Sequence, residues 1–280
     1  MSRSLAHGGT LPRIYYVSFP SAAPQQPLTV AAQLRLPVNT QGKGPAVDQG
    51  PAVVIVHGSA GIDSRGAFYA DALGRVGIAT LEIDLWGARG LVGGAAGRPR
   101  GVPETLPDAY GALRYLAGRA EIDPDRIGIL GFSWGGVVTM LSATEPYTRS
   151  FLPDGPKFAA HAAFYPVGWV YNTVPGYEFS ALTGAPVLIQ TGELDTYDDP
   201  DTCPKMVANL PEAARRCVTV KVYPGATHAF DRLEPPITVN DPFAHKGKGG
   251  EVQFVPNPHA SLQARQTTVQ FFRQAFGMTK

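Results

Sequence analysis

The chain has 280 residues, 44% hydrophobic and 17% charged, which excludes pervasive disorder, a collagen-like repeat and a disulfide-stapled miniprotein. Its 24 basic and 23 acidic residues leave a net charge of +1, so it carries no electrostatic footprint for nucleic acid or an acidic membrane surface. The 32 glycines and 26 prolines imply many loops, where much binding and chemistry resides.

At the N-terminus, Met1 to Thr10 lacks the apolar core of a secretory signal, and no run approaches the roughly 18 apolar residues of a membrane helix. The expectation is a cytoplasmic protein, or a periplasmic or secreted one from which a signal peptide has been removed. Ile14 to Ser18 and Leu28 to Leu36 predict a starting hairpin, and Asn39 to Gly50 predicts a loop. Continuous β-branched runs then alternate with helical segments. Strand Ala52 to Val56 precedes a helix around Gly66 to Val76, and strand Ile78 to Ile83 precedes a helix around Glu104 to Arg119. Strand Arg126 to Leu130 precedes helix Gly135 to Ala143, and strands Phe158 to Tyr165 and Pro186 to Thr191 follow. Helix Pro204 to Arg215, strand Val218 to Tyr223 and helix Ser261 to Phe276 complete the pattern. Fully apolar strands alternating with helices predict an α/β protein whose mostly parallel sheet is buried on both faces. No linker divides the chain, so one domain is expected over residues 1–280. Cys203 and Cys217 would stand about 21 Å apart on one continuous helix, beyond a disulfide's reach. Because Pro211 could break that helix, a disulfide and two free thiols both remain open.

Gly131-Phe132-Ser133-Trp134-Gly135 matches G-x-S-x-G, a pattern that acquires meaning from its setting: an apolar strand runs into it and a helical segment leaves it. A nucleophile on a sharp turn leaves no space for large side chains two residues away. Ser133 is therefore the candidate nucleophile. A serine hydroxyl needs a base, and the base needs a carboxylate to set its tautomer. Asp195 follows strand Pro186 to Thr191, at the strand end where open α/β sheets bind ligands. Asp198, Asp199 and Asp201 follow closely as alternatives. His228 lies after the next strand and is the candidate base. The expected oxyanion donors are the N–H groups of Trp134, which follows the nucleophile, and Ser59, in the loop Val56 to Gly61. His57 in that loop reads as an orienting group.

The order Ser133, Asp195, His228, with the His57-Gly58 loop before them, resembles the dienelactone hydrolase family of α/β-hydrolases from about Ala52 to Phe276. The resemblance implies an α/β-hydrolase fold: a mostly parallel twisted sheet with an N-terminal antiparallel hairpin and helices on both faces. It also implies substrate-binding roles for Arg89, in the strand-end segment Ile83 to Arg89, and for Arg232, four residues after His228. The family's best-known members carry a cysteine nucleophile controlled by a glutamate in the oxyanion loop. This chain has Ser133 and, at the glutamate's place, Gly58, which favours a serine carboxylesterase over dienelactone chemistry.

Tyr165 to Gly184 is rich in aromatic residues, and Trp169 there is expected to wall the substrate. Leu233 to His259, long and proline-rich, has the length of a lid or binding loop. The glycine-rich run Gly87 to Gly101 lacks a nucleotide-binding pattern and reads as a mobile loop. The histidines show no metal-ligand spacing, and neither metal nor cofactor is expected. The leading expectation is a carboxylic ester hydrolase that acts on a small-molecule ester, as a monomer or homodimer. An amidase or peptidase on the same fold and a non-catalytic pseudo-hydrolase are the alternatives.

Overall fold

A computed structural model of the chain describes residues 12–37 and 49–278, so Met1 to Thr10 and most of the expected loop Asn39 to Gly50 lie outside the described residues. Strands β1 (Arg13–Pro20) and β2 (Thr29–Leu36) pair as an antiparallel hairpin, with Arg13 opposite Leu36 and Pro20 opposite Thr29. In β2 only Val30, Ala32, Leu34 and Leu36 are buried, the alternation expected where one sheet face meets water.

The hairpin joins the main sheet through an antiparallel pairing of β2 with β4 (Ala79–Ile83). The other strands are β3 (Gly50–Val56), β5 (Ile122–Phe132), β6 (Ala160–Phe164), β7 (Val187–Gly192) and β8 (Val218–Tyr223). They complete an eight-stranded sheet in the order β1-β2-β4-β3-β5-β6-β7-β8, parallel from β4 onward. Successive β3 side chains serve opposite cores. Val53 and Ile55 pack with Tyr69 and Leu73 of α1 (Ser64–Gly74) and Phe272 of α8 (Pro258–Ala275). Val54 and Val56 pack with Leu113 of α2 (Leu106–Ala117) and Val138 of α3 (Trp134–Ser142). Burial on both faces explains why these strands are continuous apolar runs rather than alternating ones.

The structure departs from the expected elements in three places. A short helix, α4 (Glu145–Phe151), follows α3. The helix expected over Pro204 to Arg215 is two pieces, α5 (Thr202–Ala208) and α6 (Glu212–Arg215), interrupted at Pro211; of the two states left open for Cys203 and Cys217, the structure has the free thiols. The long segment after His228 holds a hairpin of β9 (Ile237–Asp241) and β10 (Gly250–Phe254) around the short helix α7 (Ala244–Gly247). Among the described residues no helix is long and apolar enough to cross a membrane.

Candidate active site

Ser133 sits between β5 and α3 with φ 52° and ψ −107°, a conformation that serine adopts only under constraint. The surrounding glycines make the turn possible. A Cβ on Gly131 would stand 2.0 Å from the Gly135 carbonyl oxygen, and one on Gly135 would stand 2.1 Å from the Val56 carbonyl oxygen. The Gly135 N–H also donates to the His57 carbonyl at 3.1 Å, which ties the turn to the end of β3.

The loops after β5, β7 and β8 bring three of the expected residues together. His228 Nε2 lies 2.9 Å from Ser133 Oγ, and His228 Nδ1 lies 2.8 Å from Asp195 Oδ2. Asp195 Oδ1 accepts the Tyr197 N–H at 2.9 Å, so both of its oxygens are engaged. The imidazole is buried, with its ring 4.3 Å from Tyr197, 4.6 Å from Tyr165 and 5.3 Å from Phe254. An acceptor at Nδ1 fixes the tautomer that leaves Nε2 free to take the serine proton. Ala229, next to the histidine, is also left-handed at φ 54°.

The alternative acids point elsewhere. Asp198 accepts the N–H groups of Gly168 at 2.5 Å and Trp169 at 2.8 Å. Burial, reinforced by the neighbouring charge of Asp195, pushes the Asp198 carboxyl up to about 6. Asp199 pairs with Lys246 and Asp201 with Lys205.

Trp134 is the first residue of α3, so its N–H has no partner within the helix and is available beside Ser133. Ser59 lies in a tight turn closed by the Gly61 N–H on the Gly58 carbonyl, and it lines a cavity shared with Ser133 and His228. The Ser59 carbonyl accepts Trp86 Nε1 at 3.1 Å and the Gly94 N–H at 2.6 Å, which holds that peptide in place. His57 Nδ1 lies 2.7 Å from the Gly58 carbonyl, and Nε2 accepts the Leu85 N–H at 3.0 Å, so the ring ties its own loop to the segment after β4.

Two expected substrate contacts are corrected by the structure. Arg89 turns away from the cavities: its guanidinium binds Asp108 at 2.5 Å and the carbonyls of Leu85 and Glu104, because Asp108 is wholly buried on α2 and needs a cation. Trp169 lines neither cavity at Ser133, its indole N–H instead reaching the Phe243 carbonyl at 3.3 Å. Arg232 does line the cavity beside His228, where Asp63 at 3.5 Å and Glu234 at 3.4 Å balance its charge.

Other residues around the site had no local signal in the sequence. Arg98 and Arg100, from the glycine-rich run, line a second cavity at Ser133 with Trp134 and four valines. Arg98 also forms a two-pronged ion pair with Asp241 of β9. Beneath the first cavity, buried Arg65 donates to Tyr165 Oη at 3.0 Å, and Tyr165 and Tyr69 donate to buried Asp231 at 2.5 and 2.8 Å. Burial works to raise the Asp63 carboxyl, but the charge and hydrogen bonds of Arg65 prevail and lower it. A Cβ on Gly58 would stand 3.1 Å from the Arg65 guanidinium, so a large side chain there would have to displace a buried cation. Among the described residues no cluster of histidine, cysteine or carboxylate side chains could hold a metal ion.

The model of the dienelactone hydrolase family matches residues 38–276. The chain belongs to the dienelactone hydrolase family. An uncharacterised protein of Mycobacterium tuberculosis is 30% identical over 186 residues, or 64% of this chain and 63% of the relative's own length. Among solved structures, a dienelactone hydrolase-like promiscuous phosphotriesterase from metagenomic libraries is 18% identical with a TM-score of 0.64, covering 96% of this chain and 100% of its own. A propionate-bound esterase of Thermogutta terrifontis is 15% identical with a TM-score of 0.65, covering 94% and 96%. These likenesses show the α/β-hydrolase fold.

Proposed function

We propose that this protein is a serine hydrolase of carboxylic esters that works through an acyl-enzyme. The observation that carries the reading is the unbroken hydrogen-bond line from Ser133 through His228 to Asp195. Neutral His228 takes the Ser133 proton as Oγ attacks the ester carbonyl carbon. The oxygen that becomes negative is met by the N–H groups of Ser59 and Trp134, and Asp195 steadies the imidazolium that forms. His228 then protonates the departing alkoxide, and a water activated by the same imidazole releases the acid and restores Ser133. No step needs a metal or cofactor. The free thiols Cys203 and Cys217 favour a reducing, cytoplasmic setting.

One assay separates this reading from its rivals. The protein is incubated with a short-chain aryl ester, the matching aryl amide and an active-site phosphonate. Ester turnover blocked by the phosphonate supports an esterase, preferential amide turnover supports an amidase, and turnover of neither supports a ligand-binding pseudo-hydrolase.

A further inference from the structure

Two cavities meet at Ser133. One is lined by Val102, Val137, Val167, Val170, Trp134 and Phe243 among others, with a volume of about 50 Å³. The other, of about 70 Å³, is lined by His228, Ala229, Arg232, Ile237, Val239 and Phe254 among others. We propose that they divide the ester between them, the valine-walled cavity taking a short apolar acyl group and the His228 side taking the alcohol. The assignment rests on the hydrolase reading above.

Proton delivery decides which side the alcohol takes. When the tetrahedral intermediate collapses, the bond from the carbonyl carbon to the alcohol oxygen breaks, and that oxygen takes the proton held on His228 Nε2. The alcohol must therefore lie on the imidazole's side of Ser133, and His228 lines the second cavity but not the first. The acyl carbon stays bonded to Ser133 Oγ, so its chain runs into the remaining space.

The chemistry of the walls agrees. The acyl side is walled by four valines with Trp134 and Phe243; its charged pair Arg98 and Asp241 is mutually satisfied through bonds of 2.8 and 2.9 Å, and its third charged residue, Arg100, is exposed to water. An apolar chain there leaves no polar group newly unpaired. The volume is room for a few waters, which suits acetyl to butyryl rather than a fatty chain. The wall is also held firmly. Val167 is left-handed at φ 52°, an unusual conformation for a β-branched residue. The next two N–H groups, of Gly168 and Trp169, are both bound by Asp198, and the Pro166 carbonyl accepts Tyr171 Oη at 2.9 Å. A wall pinned on both sides of the strained residue yields little to a longer chain.

Burst and steady-state kinetics with p-nitrophenyl acetate, butyrate and octanoate test the assignment. Wild type should favour butyrate over octanoate in kcat/KM by about tenfold or more, and Val170→Ala should narrow that ratio by about tenfold. Val170→Leu should depress butyrate relative to acetate. Because each result is a ratio within one preparation, partial misfolding cancels. Val239→Ala should change the preference between butyrate esters of different alcohols more than it changes the preference between butyrate and octanoate. Equal rates for butyrate and octanoate in wild type, or a chain-length preference that responds to Val239→Ala and not to Val170→Ala, would overturn the assignment. If no ester gives a burst or turnover, the hydrolase reading fails. Turnover without chain-length discrimination defeats the division of the cavities alone.

Discussion

Arg98 and Asp241, 143 residues apart in sequence, face each other through hydrogen bonds of 2.8 and 2.9 Å. The Arg98 guanidinium lies 5.7 Å from the Trp134 ring and 5.2 Å from the Phe243 ring, and Asp241 also accepts the Phe243 N–H at 2.8 Å. The pair fastens the glycine-rich segment before α2 to the hairpin after His228, on the wall of a cavity shared with Ser133. A run that reads as mobile from its glycines is held by an ion pair.

Removing either partner leaves a charge in a largely enclosed place. Arg98→Ala and Asp241→Ala should each lower stability by about 2 to 3 kcal/mol, and the double variant should lose little more than either alone. Urea unfolding of the three variants checks this. Additive losses would show that the two side chains do not act as a pair.

The glycines separate by what surrounds them. Gly135→Ala should abolish activity and cost more than about 4 kcal/mol, or prevent folding, because its Cβ would sit 2.1 Å from a backbone oxygen. Gly74 ends α1 with nothing within 4 Å of its Cβ position, so Gly74→Ala should stabilise by about 0.5 to 1 kcal/mol. Thermal midpoints of both variants are the measurement.

His161 on β6 is fully buried, neither ring nitrogen makes a hydrogen bond of normal geometry, and the Ser142 and Pro186 carbonyls lie nearby. Burial lowers its pKa from 6.5 to about 4. As pH falls below 6.5 the unfolded chain protonates first, so this contribution is full above about 6.5 and is lost between there and about 4. Glu82, raised to about 7, and Asp198, raised to about 6, slope the opposite way, which makes the comparison with His161→Leu the informative one. Between pH 6.5 and 4, wild type should lose about 3 kcal/mol more than the variant in urea titrations. Parallel curves would contradict this.

Much of this arrangement was legible because it is local. The parallel strands are continuous apolar runs, and Ser133, Asp195 and His228 each sit in the loop just after one. Long-range pairing was not legible. Nothing near Arg98 announces Asp241, and β9 and β10 are masked by prolines before them and glycines between. Arg89 misleads for the same reason: its strand-end position suggests a pocket, while its partner Asp108 lies 19 residues on, in α2.

Arg89→Ala should therefore act on stability and not on specificity. With Asp108 left buried and unpaired, a loss of about 2 to 3 kcal/mol is expected. The kcat/KM ratio for anionic over neutral esters should stay within about twofold of wild type, since each tenfold step would require 1.4 kcal/mol of selective contact. A selective drop for the anionic ester would return Arg89 to the substrate.

The most direct measurement is mass spectrometry of the protein after reaction with an active-site fluorophosphonate, alongside ester turnover by wild type and Ser133→Ala. A single adduct on Ser133, with turnover lost in step, is expected. Ser133→Ala should take no adduct, unfold at nearly the wild-type midpoint and lose activity on the order of 10⁴-fold or more. An unmodified Ser133, or a Ser133→Ala variant that still turns over ester near the wild-type rate, would contradict Ser133 as the nucleophile.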